Sequence, residues 1–286
     1  MQSTSETMQI VFRDIEGAHE IKAVEDLQIE AWGDEERDIV PLNQLVAARY
    51  VGGSLVGAFD NKKLVGFAYG FYGHLCGRIV HHSHMLAVAP AYRNHDVGRQ
   101  LKWAQRERVV ADKIADRITW TFDPLQSLNA HFNFNKLGVV SDTYKINVYG
   151  EQGTSFLHRN GTDRLFVTWL LDSARVKDIM AGNPTARPDS GRTALRVLRN
   201  SNSGSPEPEA TIGDASYASL IAIEIPADIS SIERADPDRA RKWREETRRV
   251  FTEALSEGFV IVDYFRENEQ TGFYLLEKTR ADDAGL

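Results

Sequence analysis

HHSHMLAVAPAYRNHDVGRQLKWAQRER, residues 81–108, followed by RITWTFDPLQSLNAHFNFNKLG, residues 117–138, is the part of the chain that decides the fold. It reads as strand, short loop, helix, strand, helix. His82 to Ala89 reads as a strand whose apolar end, Met85 to Ala89, stops at Pro90, and Gly98 to Lys113 places Leu101, Ala104, Arg108 and Ala111 on one side at helical spacing. Ala91 to Val97 therefore leads from a strand into a helix N-terminus. Such a terminus presents main-chain N–H groups and the positive end of the helix dipole, which together attract an anion. Arg93 and Arg99 flank the loop with forked donors suited to phosphate. A phosphate-bearing ligand is the expectation.

The same residues resemble the acyl-CoA-binding core of the GNAT N-acyltransferases. Arg93-Asn94-His95-Asp96-Val97-Gly98 is similar to the family's phosphate loop, Q/R-x-x-G-x-G/A, with Asp96 where the first glycine stands. The stretch from Asn129-Ala130 to Lys136-Leu137-Gly138 resembles the helix that follows, and 120–138 resembles a bacterial branch of predicted GNAT acyltransferases. The resemblance runs from about Met8 to Leu171. It implies an α+β fold of three-layer type with a mixed, largely antiparallel, splayed sheet. It implies acetyl-CoA or another acyl-CoA as cosubstrate, no metal, and a small-molecule amine as acceptor. The diphosphate would lie on Asn94, His95, Asp96, Val97, Gly98 and Arg99 beside Arg93. The pantetheine would run along Leu86, Ala87 and Val88; Asn129, Asn133 and Phe134 would count among the cofactor-binding residues, the two amides reaching the pantetheine or the acceptor. An amide at Val88 or its neighbours would polarise the thioester carbonyl.

The base is open among three residues. Alternation sets His82, His84, Leu86 and Val88 on one side of their strand and His81, Ser83 and Met85 on the other, provided no bulge intervenes. His84 and His82 both titrate near neutrality and would sit in the strand facing the thioester or just behind it; His84 is placed ahead. Asp123 ends the next strand; against each candidate stands a purely structural role. Two departures from the family bear on chemistry. An ionised Asp96 about 4 Å from a phosphate charge costs roughly 4 kcal/mol at an effective dielectric near 20. By the resemblance, Phe134 occupies the place of the tyrosine that commonly protonates the departing thiolate, leaving Ser127, Tyr144 or water to serve, or the thiolate to leave unassisted. These two residues motivate a second reading, a non-catalytic acyl-CoA or metabolite-binding protein with the carboxy-terminal lobe as a partner or homodimer surface. A nucleotide or another phosphate ligand on the same fold is a third.

The remaining chain sets bounds. It has 286 residues, 42% hydrophobic, enough for one large domain or two small ones. A net charge of −7 argues against nucleic acid as a partner. No apolar run is long enough for a membrane span, and the first eight residues lack a signal pattern, so a cytoplasmic protein is expected. Cys76 reads as a small buried hydrophobe. Helices are expected over 18–32 and 41–50, a hairpin around Asp60–Lys63, and strands over 139–149 and 164–171. Asn129 and Asn133, four apart, would share a helix face. The expected division is a catalytic domain over 8–172, a mobile connector over 173–218, and a β-α-β-β extension over 219–286. In the extension Asp236 caps a helix opened by Pro237, with Ala240, Trp243, Thr247, Val250, Phe251 and Ala254 as its apolar stripe.

Overall fold

The computed structural model describes residues 9–33, 39–150, 160–183, 195–213 and 218–278. Residues 1–8, Asp34–Asp38, 151–159 and part of the expected connector, 184–194 and 214–217, lie outside the described residues. The chain forms two compact units, Met1–Ile118 and Thr119–Leu286.

In the first unit β1 (Ile10–Asp14), β2 (Ser54–Asp60), β3 (Lys63–Leu75) and β4 (Arg78–Val88) form consecutive antiparallel pairs. The helices are α1 (Gly17–Trp32), α2 (Leu42–Tyr50) and α3 (Val97–Asp112). Both hairpin turns use residues in the left-handed region, as two-residue turns between twisted strands require. Asn61 has φ 55°, and Cys76 and Gly77 have 46° and 79°. That turn leaves Cys76 exposed, contrary to the buried role expected for it. Ile21, Val24 and Leu27 of α1 and Leu45 of α2 pack with Phe59, Phe67, Tyr69 and Ala87 on one face of the sheet. Val97 and Leu101 of α3 pack with Val56, Ala58, Val65 and Ala68 on the other. Strand β2 is covered on both faces, which is why Leu55 to Phe59 is apolar without alternation. Gln28, fully buried, ties α1 to the approach to α2. Its amide donates to Val40 O at 3.1 Å and accepts from Val40 N–H at 2.7 Å.

The face assignment within β4 differs from the expectation. Gly66↔Val88 through Tyr69↔Met85 pair in step, but Gly70 pairs Ser83, so His84 is an extra residue in a β-bulge. One added residue inverts the phase of the alternation. Leu86 and Val88 accordingly pack on the α3 face. Met85 and Ala87 lie on the α1/α2 face, where the rings of His82 and His84 stand beside Phe71.

The second unit contains β5 (Arg117–Phe122, which begins in the first unit), α4 (Ser127–His131), β6 (Val140–Lys145), β7 (Arg164–Leu170), α5 (Ala174–Met180), β8 (Leu195–Asn200) and β9 (Pro206–Pro208). It continues with β10 (Leu220–Pro226), α6 (Ile229–Ala235), α7 (Pro237–Ser256), β11 (Phe259–Arg266) and β12 (Thr271–Lys278). Its strands run in the order β5-β7-β6-β11-β12-β10-β8-β9. The carboxy-terminal segment thus continues the sheet, β11 meeting β6 at Ile261↔Ser141. In the span expected as a mobile connector, Val197 and Leu198 are fully buried and β9 pairs with β8. Helix α7 starts as expected, Asp236 accepting from Arg239 N–H at 3.0 Å and Pro237 in the first turn. Its stripe from Ala240 to Ala254 is buried. The helix expected to carry Asn129 and Asn133 is α-helical only to His131, and Phe132–Leu137 is a π-helical turn. Among the described residues no helix is long and apolar enough to cross a membrane.

Candidate functional site

The loop after β4 tightens through a 3-10 turn at Pro90–Tyr92 and then takes two left-handed residues, Asn94 at φ 65° and Asp96 at φ 62°. Side chains rarely adopt this region, asparagine and aspartate most readily among non-glycines. Asp96 therefore supplies the backbone shape of a glycine without its small size. Asp96 O accepts from Gln100 N–H at 3.1 Å, closing the first intrahelical bond of α3. The amides of Val97, Gly98 and Arg99 precede that bond, and the Asp96 side chain does not cap them. They are donors directed out of the helix end.

The charged side chains of the loop are engaged elsewhere. Asp96 carboxylate oxygens accept from Arg99 Nε, both at 2.8 Å, and Gln100 adds a contact at 3.3 Å. Arg93 donates from Nε to Val88 O at 3.2 Å and from Nη2 to Ala31 O at 2.9 Å, joining the end of α1 to the end of β4. The two arginines expected to grip phosphate thus hold the loop in shape, and His95 is exposed.

On the α1/α2 face the rings of Tyr69, Phe71, His82 and His84 gather at the bulge, with centroids 5.8–6.0 Å apart. Burial lowers the His82 pKa to about 4, helped by His84 and Lys102. Burial of its ring also lowers that of His84, although the residue as a whole is exposed. On the opposite face lies a buried polar group that sequence reading did not find. His81 Nε2 and Ser54 Oγ are 2.9 Å apart, Gln105 Nε2 donates to the same Oγ at 3.2 Å, and Lys102 Nζ donates to Ser83 Oγ at 2.8 Å and Gln105 Oε1 at 3.0 Å. Burial first, then Lys102 and His82, drive the His81 pKa down to about 3. The sequence signal was faint: Lys102 follows Leu101 on a helix whose next turns are amphipathic.

The second-unit candidates are held by their own unit. Asp123 accepts from Arg244 Nη2 at 2.8 Å, and Arg244 is 4% exposed on its side chain. Asn133 is buried and accepts from Trp120 Nε1 at 3.2 Å, while Asn129 is exposed. Their expected common face does not form, because Asn133 turns inward to its tryptophan partner. Phe134 is fully buried with Tyr274 at 5.8 Å and Phe122 at 6.4 Å, a core residue of this unit. Of the substitute acids, Ser127 Oγ lies 2.6 Å from Tyr264 Oη. Tyr144 donates to Asp163 at 2.8 Å, and burial raises its pKa. Among the described residues no cluster of His, Cys, Asp and Glu is placed to hold a metal ion.

Residues 18–138 match the model of the acetyltransferase (GNAT) family. No curated protein matches the chain. Among solved structures the chain is similar to the ribosomal-protein-S18-alanine N-acetyltransferase of Escherichia coli. The identity is 14%, the coverage 58% of this chain and 96% of that one, and the TM-score 0.46. It is similar to aminoglycoside 6'-acetyltransferase type Ii at 18% identity, 58% and 99% coverage and TM-score 0.46. It is also similar to the PaiA N-acetyltransferase of Thermoplasma acidophilum in complex with coenzyme A, at 14% identity, 56% and 98% coverage and TM-score 0.39.

Proposed function

We propose that this chain, which belongs to the GNAT acetyltransferase family through residues 18–138, transfers an acyl group, acetyl in the first instance, from acyl-CoA to the amine of a small molecule. The observation that carries this is the uncapped amino terminus of α3, with Val97, Gly98 and Arg99 amides open to a diphosphate. The pantetheine arm would follow Leu86–Val88, and an amide at Val88 or beside it would stabilise the oxyanion. The amine attacks the thioester carbonyl, the C–N bond forms as the C–S bond breaks, and the amine's surplus proton leaves to a base. His84 fits that role better than His82, whose lower basicity at a pKa of about 4 makes it a poor acceptor. Asp123 is less suited, because its carboxylate is already paired with Arg244. Water protonates the thiolate, since Phe134 has no proton to give and is buried.

Calorimetry with CoA and acetyl-CoA tests the reading. Binding that is lost on Gly98→Trp is expected, and no binding at millimolar ligand ends it. A non-catalytic binding protein is the second reading, favoured by the engagement of Asp123, Ser127 and Tyr144 with partners in their own unit. CoA released in the presence of any of a panel of amines decides for the enzyme.

A further inference from the structure

The bulge at His84 is keyed from behind. Gly70, which pairs with Ser83 at the bulge, has no room for a side chain: a Cβ there would meet His81 Cε1, His82 O at 2.7 Å and Gln105 Nε2 at 3.1 Å. The space is taken by groups that bond to one another, His81 with Ser54, Ser54 with Gln105 and Gln105 with Lys102. Lys102 then completes the path to the strand through Ser83 Oγ at 2.8 Å, one residue before the bulge. A fully buried ammonium is costly, and burial pushes the Lys102 pKa well below its ordinary value. A methionine or leucine would fill that position against the sheet at no such cost. Lys102 lies one helical turn beyond the open amides of α3, so one helix carries both the phosphate-facing end and the lysine.

We propose that Lys102 is a positioning residue that, acting through Ser83, sets the bulge at His84 and hence the main-chain geometry of β4 at which the acyl group reacts. The catalytic part of this rests on the acyltransfer reading; the structural part does not. Lys102→Met, Ser83→Ala and the double variant test it in the full chain. In Lys102→Met, amide hydrogen exchange over residues 82–86 is expected to quicken at least tenfold. CoA affinity and the KM for acyl-CoA are expected to stay within threefold, and kcat to fall tenfold or more. Because the lysine acts through the serine, the double variant should be no slower than Lys102→Met alone. Unchanged exchange over 82–86, an unchanged kcat, or strictly multiplicative effects in the double variant would each overturn the proposal. Parallel loss of CoA affinity would also overturn it, by showing a general collapse of α3. Failure of the unaltered protein to bind CoA is a different result. It removes the acyltransfer reading and the catalytic part, and leaves the exchange and double-variant measurements to judge whether Lys102 holds the bulge.

Discussion

Asp96 concentrates the conflict between backbone shape and charge. Its φ of 62° is one that glycine adopts freely, and its carboxylate sits at the helix end where a diphosphate is proposed to dock. Arg99 neutralises part of that charge, so the net penalty is smaller than a bare carboxylate would impose. Asp96→Gly should therefore bind CoA about tenfold more tightly, equivalent to about 1.4 kcal/mol. Asp96→Ala should gain less or lose, because alanine in the left-handed region costs roughly 1–2 kcal/mol. Titration calorimetry on the two variants gives the comparison. At His84 the prediction concerns pH. A base must be unprotonated to act, and burial moves this histidine's pKa below 6.5. The pH profile of kcat/KM should rise to a plateau with its midpoint below 6.5. His84→Ala should remove that limb and lower the rate by about 10²–10⁴-fold.

Strand β4 shows how one element carries two opposite faces. Its three neighbouring histidines are divided by the pleat and the bulge, His81 to the α3 side and His82 and His84 to the aromatic side. Folded-state pKa values of about 3 for His81 and about 4 for His82 lie below the unfolded value of 6.5. The unfolded chain then binds more protons, so stability is full above pH 6.5 and is lost as pH falls toward the folded values. His81 alone should cost about 2 kcal/mol between pH 6.5 and 5. Urea unfolding at the two pH values, with His81→Gln showing a correspondingly flatter dependence, checks the sign and the size. Gly70→Ala belongs to the same element. Its Cβ has no space beside His81 and His82, and overpacking of this kind costs about 1–3 kcal/mol. A lowered thermal midpoint is expected. The family resemblance implies a bulge in this strand, but strand alternation gives no notice of where an inserted residue falls; only pairing with Gly70 locates it at His84.

At the scale of the molecule, the carboxy-terminal segment is part of the second unit's core. Arg244 reaches Asp123, Tyr274 Oη donates to Pro124 O at 2.7 Å, and Asn135 Nδ2 donates to Asp263 at 2.9 Å. Arg244→Met would leave the Asp123 carboxylate without its partner, a loss of about 3–5 kcal/mol for a buried pair. Chemical denaturation should register it, and Asp123→Asn/Arg244→Met should recover part of it. The sequence by itself determined the strand–loop–helix order around 93–98 and the capped helix at 236, because caps, turn residues and short periodicities are local and a chain of fixed composition displays them. Only the tertiary structure decided the rest. It turned Asn133 to Trp120, buried Phe134 against Tyr274, bound Asp123 to Arg244 and closed Lys102 onto Ser83. Each of these depends on which side chain meets which across long separations in the chain. A hydrogen bond or a ring contact is specified by that meeting, and the residues flanking either partner carry no trace of it.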